Sequence, residues 1–584
     1  MNLVLAARPP ELSEFPDSPL ALPDPGGAVA ALQATDYARS LQWIAEEILA
    51  HKFPLLGLTV ETGHEIHWRR DYLRGIETGP LYFRRISYLD CGRAGDHKVI
   101  WELNRHQHLV LLAQAYLFTQ GKEYKLEIFR QIESWLRQNP FQHGINWASA
   151  LEVAFRALSW IWIYHLIGAE MPGAFRRTFL SALYQHGLHL AENLSIYFSP
   201  NTHLLGEAVA LHALGELFPQ FPRARKWRER GGAMVEQQLE LQVQPDGSHF
   251  EQSSYYHVYA LDFFLFSYLL LGRPEHWQPV LIKMAEFLHW LLGPSRRITF
   301  WGDDDGGRVF HPYGERAQFG RATLTTCGIL LGREEWIGSA EDTAEQAAWW
   351  LGKDALSFSQ SVRCAPAGAR RFADSGLVFL EADEFFLEMD CGGFGYGGAG
   401  HSHSDALSIT LRLAGEYVLR DPGTYTYVAD AAERAWFRGS AAHNTVRIDD
   451  QDQGTQAGPF RWPVKPDVQL LEWEPQEGRI VAACRYAGFL HRRTVQLDTQ
   501  NLAVIDLIEG PPGEHACEQI WQLGPAAERV ALTFSHDPVW QKSRFSPVYG
   551  VKLPAESLIV RVKCKLPVTI AMQLSTNDPA LLRR

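Results

Sequence analysis

The hydrophobic period of this chain switches once, between about residues 355 and 375, from helical to strand-like. Upstream, apolar residues recur at helical spacing over Tyr37–His51, His106–Thr119, Lys122–Arg137, Ala148–Ile167, Thr202–Leu217, Met234–Val243, Tyr259–Leu271 and Pro279–Leu292. Gly, Pro and Asn punctuation such as Gln120-Gly121 and Asn139-Pro140 separates these segments, as helix stop and start signals do. Short connections make consecutive helices antiparallel, and a long series of them without a strict repeat period predicts a toroid. Downstream, alternating or β-branched runs cover Leu377–Met389, Ser408–Leu419, Asn444–Ile448, Arg479–Tyr486, Thr494–Leu507, Val530–Phe534, Leu558–Val562 and Val568–Gln573. Short strands at this spacing, with turns such as Gly510-Pro-Pro-Gly513 between them, predict an antiparallel β-sandwich. The expected organisation is multidomain: a proline-rich arm over 1–35, an all-helical toroid over 36–360 and an antiparallel β-sandwich over 361–584.

A chain of 584 residues exceeds what one core supports. Its 19 Trp, 20 Tyr and 31 Phe exceed ordinary usage, and an aromatic excess suits the apolar faces of sugars in a cleft. The net charge of −12 argues against nucleic acid, and an acidic polymer would need a locally basic cleft. No apolar run approaches the roughly 20 residues that span a bilayer, so no membrane partner is expected. The N-terminal stretch MNLVLAARPPELSEF lacks signal-peptide features. The expected location is therefore the cytoplasm, or the periplasm or exterior if a leader has been removed. Seven cysteines, scattered and without CxxC spacing, make neither a disulfide framework nor a cysteine zinc site.

Chemistry-bearing residues gather near element ends. In Gly400-His-Ser-His-Ser-Asp-Ala-Leu, the residues His401 and His403 stand two apart where a Gly-rich loop enters a strand-like run. On a strand, i and i+2 share a face, so one imidazole can bind an ion while the other moves protons. Asn201 reads as the N-cap of the helix that His203 begins, and Tyr256 follows the turn signal Asp246-Gly247. Asp421 sits in a turn 18 residues after His403, and His443 opens a strand 40 residues after it.

Seven segments in order, WELNRHQHL, NTHLLGEA, DGSHFEQSSYYH, WGDDDGGR, GHSHSDALS, RDPGTY and AAHNTV, make the chain resemble the heparinase II/III-like polysaccharide lyases over roughly residues 40–570. The resemblance implies an α/α toroid followed by an antiparallel β domain, and β-elimination of uronic-acid-containing glycans such as heparan sulfate, hyaluronan, chondroitin or alginate. It implies Asn201 as the group that neutralises the uronate carboxylate, Tyr256 as acid (and base on one epimer), and His203 and His401 as the other acid/base positions. His403, Asp421 and His443 are similar to the family's structural zinc site, and that donor set suits a divalent metal, zinc above all. Asn104, Arg105, His106 and Arg438 are the expected contacts to an acidic polysaccharide. Thr202 and Ser254 stand where many relatives carry Asn and Pro. Three other readings compete, one of them a zinc hydrolase using His401 and His403, which lacks a HExxH-type partner helix. A glycoside hydrolase needs facing carboxylates, for which Asp303, Asp304, Asp305, Glu152 and Glu207 are available. A glycan-binding protein without catalysis would keep the fold alone.

Overall fold

A computed structural model describes residues 20–358 and 365–576. Helices make most of the first part, but two short hairpins, Lys52–Leu55 with Leu58–Glu61 and Arg70–Asp71 with Ile76–Glu77, correct the expectation that it is all-helical. The helix Ala150–Ile167 lies at the centre with every residue buried. With the following turn to Glu170 it has the length and composition of a membrane-crossing helix, although Glu152 and Arg156 interrupt its apolar run. Here other helices of the toroid take the place of lipid. Around it pack Gln107–Thr119, Lys122–Gln138, Gly173–Glu192, Thr202–Leu217, Ala224–Gln242, Ser254–Leu270, Gln278–Leu292 and Gly320–Leu331. The helices Thr202–Leu217 and Ala224–Gln242 approach so closely that a Cβ at Gly215 or Gly231 would lie 2.3 Å or 2.6 Å from the other backbone. Only glycine permits that contact.

Two further expectations about the first part change. Within the proline-rich arm, Pro25–Leu32 is a helix, because Asp24 caps it and Pro25 occupies the first turn; residues 1–19 lie outside the described residues. The helices Gly173–Glu192 and Gly320–Leu331 were missed, since their interrupted apolar pattern includes polar residues that are buried. The expected boundary between 360 and 361 falls outside the described residues.

The second part is antiparallel throughout. Ala369–Arg371, Leu377–Ala382, Phe385–Asp390, Ile409–Leu413 and Glu416–Leu419 form a meander of five strands. Two expected single runs, Leu377–Met389 and Ser408–Leu419, are thus hairpins, and so is Thr494–Leu507. Six strands make a second sheet, in the order Asp467–Glu474, Arg479–Tyr486, Phe489–Leu497, Asn501–Glu509, Val568–Thr576 and Val530–Phe534. Four make a third, in the order Val446–Ile448, Glu514–Gln522, Val551–Lys565 and Pro538–Val548. Inward residues of all three, such as Leu387, Ile409, Val495, Val504, Trp521 and Val560, share one core. The toroid carries its own, larger core. Between the two parts run the loops that carry the polar motifs.

Candidate active site

Two helix N-caps place two candidate groups. The Asn201 side-chain oxygen accepts from the His203 amide at 3.1 Å, so Asn201 is a true cap and puts His203 in the first turn. Ser253 Oγ accepts from the Tyr256 amide at 3.2 Å and does the same for Tyr256. Both caps open into one cleft of about 1070 Å³, which Asn201, His203, Tyr256 and His401 all line. The Tyr256 and His401 rings stack with centroids 3.8 Å apart.

His401 and His403 do share a site, though not as strand neighbours. The segment from Gly400 to Ser408 is irregular and the strand begins at Ile409. One carboxylate joins them. Asp303 meets His401 Nδ1 at 3.1 Å and His403 Nε2 at 2.9 Å, one oxygen to each. Arg434 donates to both oxygens of Asp303 from the other side, at 2.5 and 2.7 Å. Burial alone would raise that carboxyl, but Arg434 and the two imidazoles hold it well below the usual range. His401 therefore faces the cleft while His403 lies buried behind it.

Burial also sets the protonation states of the cleft. It pushes His203 down to about 4, helped by His401, so the imidazole is neutral at ordinary pH. It pushes the Tyr256 phenol well above its ordinary value, with Asp305 adding to the effect, so the hydroxyl keeps its proton. Glu251 is raised as well. That carboxyl accepts from Asn201 Nδ2 at 2.6 Å and from the Thr202 hydroxyl, and lies 3.6 Å from His401 Nε2.

Of the expected substrate contacts, only Arg105 lines the cleft, and its guanidinium is taken by Glu152 at 2.7 and 2.8 Å. The other three expectations are corrected. Asn104 donates to the Trp68 and Ile100 carbonyls and accepts from Trp135 Nε1, inside the toroid core. His106 is fully buried, accepting from Trp160 Nε1. Arg438 is buried with its guanidinium on the Gly458 and Pro459 carbonyls. A polar run before an apolar helix reads as a binding edge in sequence, but here it supplies the buried polar ties between helices.

Four residues outside the expected site complete it: Asp303, Glu251, Arg434 and Tyr427. The Tyr427 hydroxyl lies 3.2 Å from that of Tyr256, with the Arg434 guanidinium over its ring at 4.8 Å. Asp303 and Glu251 lay within recognised motifs. Arg434 lies one helical turn from Arg438 on the helix Ala431–Arg438, and nothing in the local sequence separates the two.

The other carboxylates available to a hydrolase, two of them lining the cleft, are each engaged by a cation or by hydrogen bonds. Asp304 pairs with Arg316, and Asp305 with Lys98 at 2.9 Å. Glu152 pairs with Arg105, and Glu207 accepts from Ser195 N and Oγ, both at 2.7 Å.

A second cluster lies behind His401. His403, Asp405 and His443 are buried with their ligand atoms within 4.8 Å of one another, a group able to hold a metal ion. His403 Nδ1 and His443 Nε2 are buried without a hydrogen-bond partner, as donors awaiting a cation would be. Asp421 is placed differently from expectation: its carboxylate lies 2.9 Å from His443 Nδ1 and so fixes that ring. Asp303 does the same for His403, an arrangement typical of the partners behind metal-binding imidazoles.

Comparison with known proteins agrees with this architecture. The family model described as heparinase II/III N-terminus matches residues 29–275, and that described as heparinase II/III-like, C-terminal matches 365–558. Curated relatives include a heparin-sulfate lyase of Bacteroides stercoris, 23% identical over 71% of this chain and 62% of its own length. Another, from Pedobacter heparinus, is 24% identical over 65% of this chain and 56% of its own. The chain thus matches less than two thirds of the length of either. Among solved structures, heparinase III aligns with a TM-score of 0.70 at 16% identity, covering 98% of this chain and 88% of that one. The chondroitin AC lyase of Streptomyces coelicolor A3 aligns with a TM-score of 0.58 at 12% identity, covering 96% and 84%.

Proposed function

Since the chain belongs to the heparinase II/III-like family, we propose that it is a polysaccharide lyase, cleaving uronic-acid-containing glycans by β-elimination. The observation that carries this is the convergence of Asn201, His203, Tyr256 and His401 on one cleft, with protonation states suited to the reaction. Elimination removes the C5 proton of a uronate and expels the 4-oxygen. The C5 proton becomes acidic only when the adjacent carboxylate is neutralised. Asn201, at a helix N-terminus that favours anions, supports that role, and Glu251 beside it takes up a proton readily because burial raises it. His203, held neutral, suits the base; Tyr256, held as a phenol, suits the acid that protonates the leaving oxygen. Tyr427, within hydrogen-bond reach of Tyr256, can relay the replacement proton.

The cleft mouth fits a sugar polymer. Tyr197 and Phe198, 96% and 80% exposed, stand on the loop before Asn201, and Tyr396 stands on the β-domain loop, stacked on Phe250. All four rings line the cleft. Large exposed rings at the edge of a cleft suit stacking against pyranose faces.

The metal belongs to the same reading: one divalent ion, zinc by its donor set, held by His403, His443 and Asp405. Bound there it would supply structural crosslinking to the segment bearing His401. The test of the function is product absorbance. Incubation with uronate glycans raises ultraviolet absorbance from conjugated unsaturated ends; new reducing ends without that absorbance establish a hydrolase instead.

A further inference from the structure

A second cavity, of about 920 Å³, lies at the junction of the two parts and is absorbed by none of the chemistry above. Its walls come from the toroid, through Trp43 and Tyr313, and from the β domain, through Tyr417, Arg420 and Phe545. The Trp301–Arg308 loop divides it from the cleft: Gly306 lines this cavity and Asp305 lines the other. The two cavities are therefore neighbours with a shared wall.

Arg420 gives the second cavity its chemistry. Three other arginines line it, and each has a carboxylate: Arg39 pairs with Asp36, Arg297 with Glu315 and Arg316 with Asp304. Among the described residues lining this cavity, Arg420 alone of the cations has no carboxylate within ion-pair distance. Its guanidinium rests over the Phe545 ring at 4.2 Å. Its backbone is fixed at both ends, donating to the Gln522 carbonyl at 3.1 Å and accepting from Asn444 Nδ2 at 3.0 Å. On the toroid side of the cavity, Trp43 is 64% exposed on the helix Asp36–Leu49. A guanidinium resting on a ring, aromatic walls and room for a ring system match a sugar acid better than a bare anion or an apolar ligand.

We propose that this cavity is a second binding site, taking a hexuronate unit with its carboxylate on Arg420 and its ring against the aromatic wall that includes Trp43. The choice of a hexuronate among ring-bearing carboxylates rests on the proposed function; the anion site itself does not. An oligosaccharide released by the cleft and a segment of uncleaved polymer share this chemistry. Because Arg420 precedes Asp421, which holds His443, and because Gly306 lies in the loop carrying Asp303, an occupant touches the back of the catalytic wall.

The test uses the full chain with Tyr256→Phe, so that the probe is not consumed. Calorimetric titration with a glucuronate-containing tetrasaccharide is compared with the same sugar after reduction of its carboxyls, and with a long intact polymer. The expected result is a class of binding that Arg420→Gln and Trp43→Ala each weaken at least tenfold and that the carboxyl-reduced sugar lacks. Polymer binding much tighter than the tetrasaccharide, and equally sensitive to Arg420→Gln, identifies a chain segment as occupant; equal affinity identifies the free oligosaccharide. Trp43 is exposed, so Trp43→Ala decides the matter even if Arg420→Gln fails to fold. Binding that neither substitution weakens overturns the proposal. A chain that forms no unsaturated product yet keeps the Arg420-dependent class loses the lyase reading and retains this site.

Discussion

Tyr256 lies face to face on His401, with ring centroids 3.8 Å apart and planes 20° from parallel, so a helix of the toroid and a loop of the β domain meet in one pair of rings. Neither ring reaches the cleft geometry without the other part of the molecule. The stack leaves the Tyr256 hydroxyl directed at Tyr427 rather than at a base, consistent with a phenol that donates.

Tyr256→Phe removes that hydroxyl and keeps the ring stack. Turnover is expected to fall by roughly a hundredfold or more, as for loss of a general acid, with the melting temperature close to that of the parent. Steady-state rates of unsaturated product beside a thermal melt check this; near-normal turnover in a folded Tyr256→Phe protein removes Tyr256 from proton transfer.

Tyr197→Ala and Phe198→Ala strip rings from the cleft mouth without touching the core. Each is expected to raise KM severalfold, on the order of 1 kcal/mol per lost stacking contact. Stability should stay within about 0.5 kcal/mol, as for exposed positions. A fall in kcat at unchanged KM would instead place the loop in the chemistry.

Acid should weaken the toroid through its buried histidines. Burial holds His97, His108 and His257 each at about 4. The unfolded chain protonates them near 6.5, so between pH 4 and 6.5 the unfolded state binds more protons and stability rises with pH. Each contributes up to about 1.4 kcal/mol per pH unit in that window. Glu207, raised to about 8 by burial, acts oppositely: its folded state holds the extra proton, and that stability is lost as pH rises from about 4.5 towards 8. Urea midpoints should therefore fall from pH 6.5 to pH 5. For kcat/KM, an acid limb near 4 that disappears in His203→Gln is the expected trace of His203 as base; a limb near 6.5 assigns another group.

Elemental analysis of protein purified without chelator is expected to give about one metal per chain. Asp405→Asn and His443→Ala should lose it and melt lower, because binding to the folded state is linked to stability. Asp421→Asn should retain metal with weakened affinity, by roughly ten- to a hundredfold, as for partners behind a ligand. Full metal loss in Asp421→Asn with retention in Asp405→Asn would restore Asp421 as the ligand.

The sequence by itself determined most of the elements and the cap at Asn201. The helix Thr202–Leu217 has the expected ends because Asn201 stops it with a side chain that no other arrangement would use so well, and Arg479–Tyr486 alternates as a strand must. The four groups lining the cleft stood out because each lies inside an ordered motif, Asn201, His203 and Tyr256 at helix starts and His401 in an irregular loop. Tertiary structure alone decided what those ends meet. Asp303 reaches His401 across 98 positions and Arg434 across 131, and the partner of His443 behind the ring is Asp421 while Asp405 stands at its free nitrogen side. Periodicity reports which face a residue occupies, not which distant face packs against it. For that reason Asn104, His106 and Arg438 read as a binding edge, although in the folded chain their polar atoms satisfy backbone and indole groups that burial would otherwise leave unpaired.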